Sequence, residues 1–189
     1  MEALLASILV IAVGEIGDKT QLLALMLAVR LRRPVPIILG ILVATLANHT
    51  LAAFVGDWVR HALPGSWLRW LVAISFFVVA LWALKADEAE DTARIAAGNF
   101  GAFALTVGAF FIAEMGDKTQ IATAVLAAQF GNIAAVVAGT TLGMLIADVP
   151  VVLLGNASAR RIPFKLVRMI AAVLFALMGV IALLGPLPG

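Results

Sequence analysis

The amino-acid sequence predicts an all-α integral membrane protein whose six transmembrane helices form two inverted three-helix repeats. Hydrophobic residues make up 63% of the 189-residue chain, charged residues only 13%, and mean hydropathy is +1.11. A water-soluble domain of this length carries far more polar surface, so lipid is the solvent for most of the chain. The apolar residues also fall into six stretches near the roughly 20 residues that a spanning helix needs. Finally, a shift of 99 positions lays the second half of the chain on the first without a gap.

The predicted spans run from Ala3 to Val29, Val35 to Val59, Trp67 to Leu84, Phe100 to Ala128, Ile133 to Leu154, and Leu166 to Leu184. Turn and charge signals separate them: Arg32-Arg33-Pro34, Leu63-Pro64-Gly65-Ser66, the polar run Lys85 to Arg94, Phe130-Gly131-Asn132, and Arg160-Arg161-Ile162-Pro163. The first stretch is expected to be a retained helix. Glu2 precedes it in place of Lys or Arg, and Glu15 and Asp18 stand where a signal would carry a small-residue cleavage site.

Basic residues set the orientation. The first, third and fifth connections carry Arg30, Arg32, Arg33, Lys85, Arg94, Arg160, Arg161, Lys165 and Arg168, whereas the opposite side carries Arg60 and Arg69. The positive-inside rule puts the basic connections in the cytoplasm and both termini outside. Trp58, Trp67 and Trp70 flank the first external connection, where interfacial tryptophans belong.

The duplication is carried by one heptapeptide. Glu15 to Gln21 (EIGDKTQ) falls on Glu114 to Gln120 (EMGDKTQ), and farther along Gly40 meets Gly139, Gly56 meets Gly155, Pro64 meets Pro163, Arg69 meets Arg168 and Phe76 meets Phe175. Residues 1–84 form the first repeat, 85–99 a cytoplasmic linker, and 100–189 the second repeat. Three spans per repeat is an odd number, so the second half enters the membrane from the opposite side. This plan is common among secondary transporters, with the ion site at mid-depth where the halves meet. The linker acids Asp87, Glu88, Glu90 and Asp91 read as a solvated connection.

Glu15 and Glu114 sit near the centres of the first and fourth spans. Asp or Lys there costs roughly 2.5–3.5 kcal/mol on insertion scales, so Glu, Asp and Lys together burden each helix by about 8 kcal/mol. Each Leu, Ile or Val returns only about 0.3–0.6 kcal/mol. Carrying that burden twice marks a functional site. On a continuous helix Glu15, Asp18 and Lys19 share a face, with Gln21 beside Asp18. Gly17 and Gly116 allow either close approach of a partner helix or a local break that frees carbonyls. Thr20, Gln21, Thr119 and Gln120 add neutral oxygens.

Glu15, Asp18, Glu114 and Asp117 are therefore the expected metal ligands. Carboxylate, hydroxyl and amide oxygens without any cysteine suit Mg²⁺, Ca²⁺ or Mn²⁺ better than copper or zinc. Four carboxylates less Lys19 and Lys118 leave two negative charges, which one divalent cation or two protons neutralise. Carboxylates crowded away from water need such a partner, so protons compete with the metal. An internal pair such as Glu15 with Lys19 is the bland alternative, locking helices together.

Other polar residues fall outside the heptapeptides. The 99-residue shift places His49 on Asp148, with Asn48 adjacent. Asp148 is a lone intramembrane acid followed by Val149-Pro150, able to open the helix, and is read as an ion-path or proton-relay group. His49 is read as polar packing at the edge of that path. Gly40, Gly56, Gly139, Gly143 and Gly155 are packing positions. Asp57 and Asn156 are interfacial.

Two Glu-x-Gly-Asp-Lys-Thr motifs in the halves of a small six-span protein resemble the divalent-cation/proton exchanger family, which includes Golgi calcium and manganese exchangers of eukaryotes and manganese exporters of bacteria. The resemblance covers essentially the whole chain. It implies Mn²⁺ or Ca²⁺ leaving the cytosol in exchange for protons. The family's roles map onto Glu15, Gly17, Asp18, Lys19 and Thr20 and onto Glu114, Gly116, Asp117, Lys118 and Thr119. The extra N-terminal sequence and long central loop of many eukaryotic members are missing, which favours manganese efflux across a bacterial cytoplasmic (inner) membrane. No permanently bound cofactor is expected, only transported Mn²⁺ or Ca²⁺ and H⁺; the expected partners are membrane lipid and the divalent ion.

Other classes fit less well. A passive cation channel would carry flux without proton coupling, and an exporter of a cationic metabolite would use the same acids for an ammonium group. Intramembrane aspartyl proteases also place Gly-Asp at mid-depth, but they need just two catalytic acids, and Lys19 and Lys118 would hold the adjacent acids ionised, so no enzyme is expected. Nucleic acid is excluded by the lack of a basic stripe with interleaved aromatics.

Overall fold

The computed structural model describes residues 1–85, 101–154 and 164–185. The predicted linker acids, Arg94, Gly155, Asn156 and the Arg160-Arg161-Ile162-Pro163 turn lie outside these residues. Among the described residues the chain is all helix: α1 (Glu2–Glu15), α2 (Lys19–Leu31), α3 (Pro34–Ala62), α4 (Gly65–Ala83), α5 (Ala102–Glu114), α6 (Lys118–Phe130), α7 (Ile133–Leu154) and α8 (Phe164–Leu184).

Four of these, α3, α4, α7 and most of α8, are long and apolar enough to cross a membrane. The predicted first and fourth spans differ from expectation. Each is two helices, α1 with α2 and α5 with α6, interrupted at the heptapeptide. The helices of these pairs have 13 or 14 residues, about 20 Å at 1.5 Å per residue, too short to cross about 30 Å of hydrocarbon singly. The continuous-helix face shared by Glu15, Asp18 and Lys19 is thereby replaced by a turn. The predicted opening at Pro150 does not occur, because α7 runs unbroken from Ile133 to Leu154 with Pro150 inside it. A single proline deletes one helical hydrogen bond, and the flanking turns keep theirs.

The distribution of side chains is that of a protein in lipid. Large apolar residues such as Leu51, Phe54, Ile74, Leu81, Ile146 and Val173 face outward, while Glu15, Asp18, Asn48, His49, Glu114, Asp117 and Asp148 are buried. Water would favour the reverse. This is a multi-pass, all-α membrane protein. Trp58, Trp67 and Trp70 are exposed where α3 gives way to α4, as an interfacial belt requires.

Packing repeats with the sequence. Helix α1 lies against α7, and α5 lies against α3. A Cβ added at Gly139 would stand 2.7 Å from Ser7 Cβ, and one at Gly40 would stand 2.6 Å from Thr106 Cβ. Ser7 and Thr106 are themselves 99 positions apart, so each repeat offers a glycine to the other repeat's small polar residue. Gly143 seats Ile8, Ile11 and Ala12 in the same way. Helices α3 and α7 touch at the centre, and α4 pairs with α8. Between lipid-embedded helices, this close approach of backbones is the main attraction available.

Gly56 is the tightest of these positions, because a Cβ there would overlap the carbonyl group of Ala124 on α6. Backbone cannot swing aside as a side chain does. Gly56→Ala is therefore expected to destabilise the protein by about 1–3 kcal/mol, read as a lowered midpoint of thermal unfolding in detergent. An unchanged midpoint would mean that α3 and α6 do not press together here.

Candidate functional site

Each heptapeptide builds the same break by a residue-by-residue code. Glu15 ends α1; Ile16 has φ −64° and ψ 118°, and Gly17 has φ 84°. These are the dihedrals of a type II turn, closed by the Asp18 N–H donating to the Glu15 carbonyl at 3.0 Å. Only glycine adopts the positive φ at the third position without strain. Met115 and Gly116 repeat this with φ −64°, ψ 117° and φ 76°, closed by Asp117 N–H on Glu114 O at 3.0 Å. No atom lies within 4 Å of a Cβ built at Gly116, so in that copy the glycine serves the turn and not close packing.

The next residues start the following helix. Asp18 and Asp117 are the N-caps of α2 and α6, in extended conformation, and Asp18 Oδ1 accepts from the Lys19 N–H at 2.7 Å. Gln21 reaches back so that its Oε1 accepts from the Gly17 N–H at 2.9 Å, and Gln120 does so for Gly116 at 2.7 Å. This is the capping-box idea displaced by one residue. Two carboxylates thus sit at helix N-termini, where the macrodipole favours negative charge.

The glutamines also hold the breaks to the opposite repeat. Gln21 Nε2 donates to the Ala147 carbonyl on α7 at 3.1 Å. Gln120 Nε2 lies 3.4 Å from Asn48 Oδ1 on α3, and Asn48 Nδ2 donates to the Phe111 carbonyl on α5 at 3.0 Å. Positions 48 and 147 correspond under the 99-residue shift. The sequence presents Asn48 only as a neighbour of His49. Its alignment with the contact point of Gln21 was the available signal.

The lysines cross over. Lys118 Nζ stands 3.1 Å from Asp18 Oδ1, and Lys19 Nζ stands 3.4 Å from Asp117 Oδ1. Each lysine pairs with the aspartate of the other heptapeptide, where sequence reasoning had weighed a pair inside one helix, Glu15 with Lys19. The break explains the difference: the turn moves Lys19 off the Glu15 face and starts it on a new axis. The two pairs are unequal, since the Lys118 side chain is almost wholly buried while that of Lys19 is 21% exposed.

The two heptapeptides therefore meet, with Glu15, Asp18, Glu114, Asp117 and Lys118 all buried. Glu15 lies within electrostatic reach of Asp18, Glu114, Asp148 and Asp117. His49 Nε2 is 3.5 Å from Glu114 Oε2, and both side chains are fully buried. Thr20 and Thr119 are buried beside them, and the Thr119 hydroxyl donates to Asp117 Oδ2 at 3.3 Å. Among the described residues no three acidic or histidine side chains already stand at ligand spacing around one point.

Buried intramembrane acids with basic partners mark substrate, ion or proton pathways by default. The comparisons with known proteins agree. The family described as "Divalent cation/proton antiporter GDT1" matches residues 3–91 and 102–188. The chain belongs to the GDT1 divalent cation/proton antiporter family. A Vibrio cholerae relative named "Putative manganese exporter" is 49% identical, with 94% of this chain and 88% of the relative covered. A GDT1-like protein of Synechocystis is 34% identical over 96% of this chain and 97% of its own. A GDT1-like protein of Arabidopsis thaliana is 26% identical over 92% and 91%. No solved structure matches the chain. GDT1 membership makes the chain one of a family of transporters and not of enzymes.

Proposed function

We propose that this GDT1 protein is a secondary active transporter that exports Mn²⁺, with Ca²⁺ as the alternative cargo, from the cytosol of a bacterium in exchange for protons across the inner membrane. The observation that carries the reading is the crossed meeting of the two heptapeptides with their four acids buried. In this reading α1 with α2 and α5 with α6 are two broken spans. Together with α3, α4, α7 and α8 they make six, arranged as inverted repeats 1–84 and 100–189 around the linker 85–99. The exchanged contacts Gly40–Thr106 and Gly139–Ser7 support that arrangement, and the basic connections favour both termini outside.

Glu15, Asp18, Glu114 and Asp117 are the proposed metal ligands, and Lys19 and Lys118 are exchangeable counter-charges that keep the aspartates matched between cargoes. Thr20, Gln21, Thr119, Gln120, His49 and Asp148 line the path, and Gly17 and Gly116 supply the breaks. Substrate and coupling-ion sites built from broken helices at the junction of two repeats are the common plan of such transporters. One divalent ion or two protons balances the net charge of the four acids and two lysines, so occupancy by one excludes the other.

The test is transport of Mn²⁺, Ca²⁺ and Mg²⁺ into proteoliposomes under an imposed pH gradient, with lumenal pH recorded. Uphill Mn²⁺ accumulation that drains the gradient is the expected result. Metal flux that ignores collapse of the gradient would assign a passive channel instead.

A further inference from the structure

We propose that His49 is a direct nitrogen ligand to the transported ion and makes the site select first-row transition-metal cations over Ca²⁺ and Mg²⁺. The proposal rests on the exchange reading above and names the cargo class of that same site. Four observations carry it.

His49 is fully buried, and among the described residues neither ring nitrogen has a hydrogen-bond partner. A buried imidazole held only for packing normally donates one nitrogen and accepts at the other, because an unmatched polar group in an apolar setting is costly. The ring is also aimed at a carboxylate. Its Nε2 stands 3.5 Å from Glu114 Oε2, long for a hydrogen bond. Adjacent ligands of one octahedral ion with bonds of about 2.1 Å stand about 3.0 Å apart, and those of a tetrahedral ion about 3.4 Å apart. The observed gap is one that an ion bridges with little movement.

The backbone beside the ring is anchored to the same break. Asn48 donates to the Phe111 carbonyl at 3.0 Å and faces Gln120 at 3.4 Å, which fixes this turn of α3 against the second heptapeptide. Lastly, the repeat-related position is Asp148, itself fully buried with both carboxylate oxygens unmatched by hydrogen bonds among the described residues. The same slot therefore holds an oxygen donor in one repeat and a nitrogen donor in the other. Ca²⁺ takes oxygen ligands, whereas nitrogen-containing sites bind the first-row divalent metals in rising order from Mn²⁺. Two protein ligands at this corner suffice for an ion that keeps part of its water shell.

The experiment has two arms. The chain has two histidines, so a His61→Gln background leaves His49 as the sole imidazole. Mn²⁺ bound to that protein, carrying ¹⁵N-labelled histidine in nanodiscs, is expected to show ¹⁵N modulation in its pulsed EPR spectrum. In the second arm, proteoliposome flux ratios of Mn²⁺ and Co²⁺ to Ca²⁺ are expected to fall about tenfold or more in His49→Gln and to rise in Asp148→His. Bound Mn²⁺ without nitrogen modulation overturns the proposal, as does a His49→Gln variant whose metal ratios stay within about twofold of wild type. The EPR arm needs no variant of His49, so it decides even where that variant fails to fold. Nitrogen-modulated Mn²⁺ binding without any coupled proton movement would retain the ligand and reject the exchange reading alone.

Discussion

Glu15→Gln and Glu114→Gln are each expected to abolish metal-driven proton exchange while leaving the protein folded in the membrane. Both carboxylates are fully buried, and the lysine pairs at 3.1 and 3.4 Å fall on Asp18 and Asp117, so the isosteric amide removes one negative charge and leaves those two pairs standing. Neutralising a buried carboxylate also lowers the cost of placing its helix in lipid. Changes that merely surround a metal ligand cost roughly 10–100-fold in affinity or activity, so loss of a ligand's charge is expected to cost about a hundredfold or more. Proteoliposome flux under a fixed pH gradient, normalised to the amount of monodisperse protein recovered, measures it. Normal flux in both variants would remove the glutamates from the ion site.

The crossed ion pairs carry the second large effect, and it falls on stability. Removing one partner of a buried pair costs about 3–5 kcal/mol, because the remaining charge loses its compensation in a low-dielectric interior. Asp18→Asn and Lys118→Met are each expected to destabilise the protein by that amount, given the 3.1 Å separation and the burial of both side chains. The double variant is expected to recover to within about 1 kcal/mol of the parent, since exchanging a whole buried pair for neutral groups is often near neutral. Transport stays lost in the double variant. Lys19→Met is expected to cost less than Lys118→Met, because the Lys19 side chain is 21% exposed and water screens what remains. Thermal unfolding of the three variants and the double variant in one detergent closes the cycle. Additive single effects would show that Asp18 and Lys118 do not act on each other.

Much of this molecule is legible in its sequence. The apolar stretches locate α3, α4, α7 and α8 to within a few residues, because helix in lipid is dictated by the need to satisfy every backbone group internally. The heptapeptide stood out as a candidate site because three charged residues at mid-span are costly in lipid. Gly17 and Gly116 left two readings open, and hydropathy could not choose between them. Apolar content is the same whether a span is continuous or bent through a type II turn. Asn48 shows a different blind spot: its partners Phe111 and Gln120 are 63 and 72 positions away, a separation at which spacing rules say nothing.

What the linear chain determined by itself is its solvent, its duplication and the identity of its buried acids, since each of these depends on composition and local order alone. Only the tertiary structure decided that Lys118 answers Asp18, that Lys19 answers Asp117 and that His49 confronts Glu114. Those pairings join side chains from different repeats. They exist because packing of α1 on α7 and of α5 on α3 brings two distant turns together, where buried opposite charges must find each other.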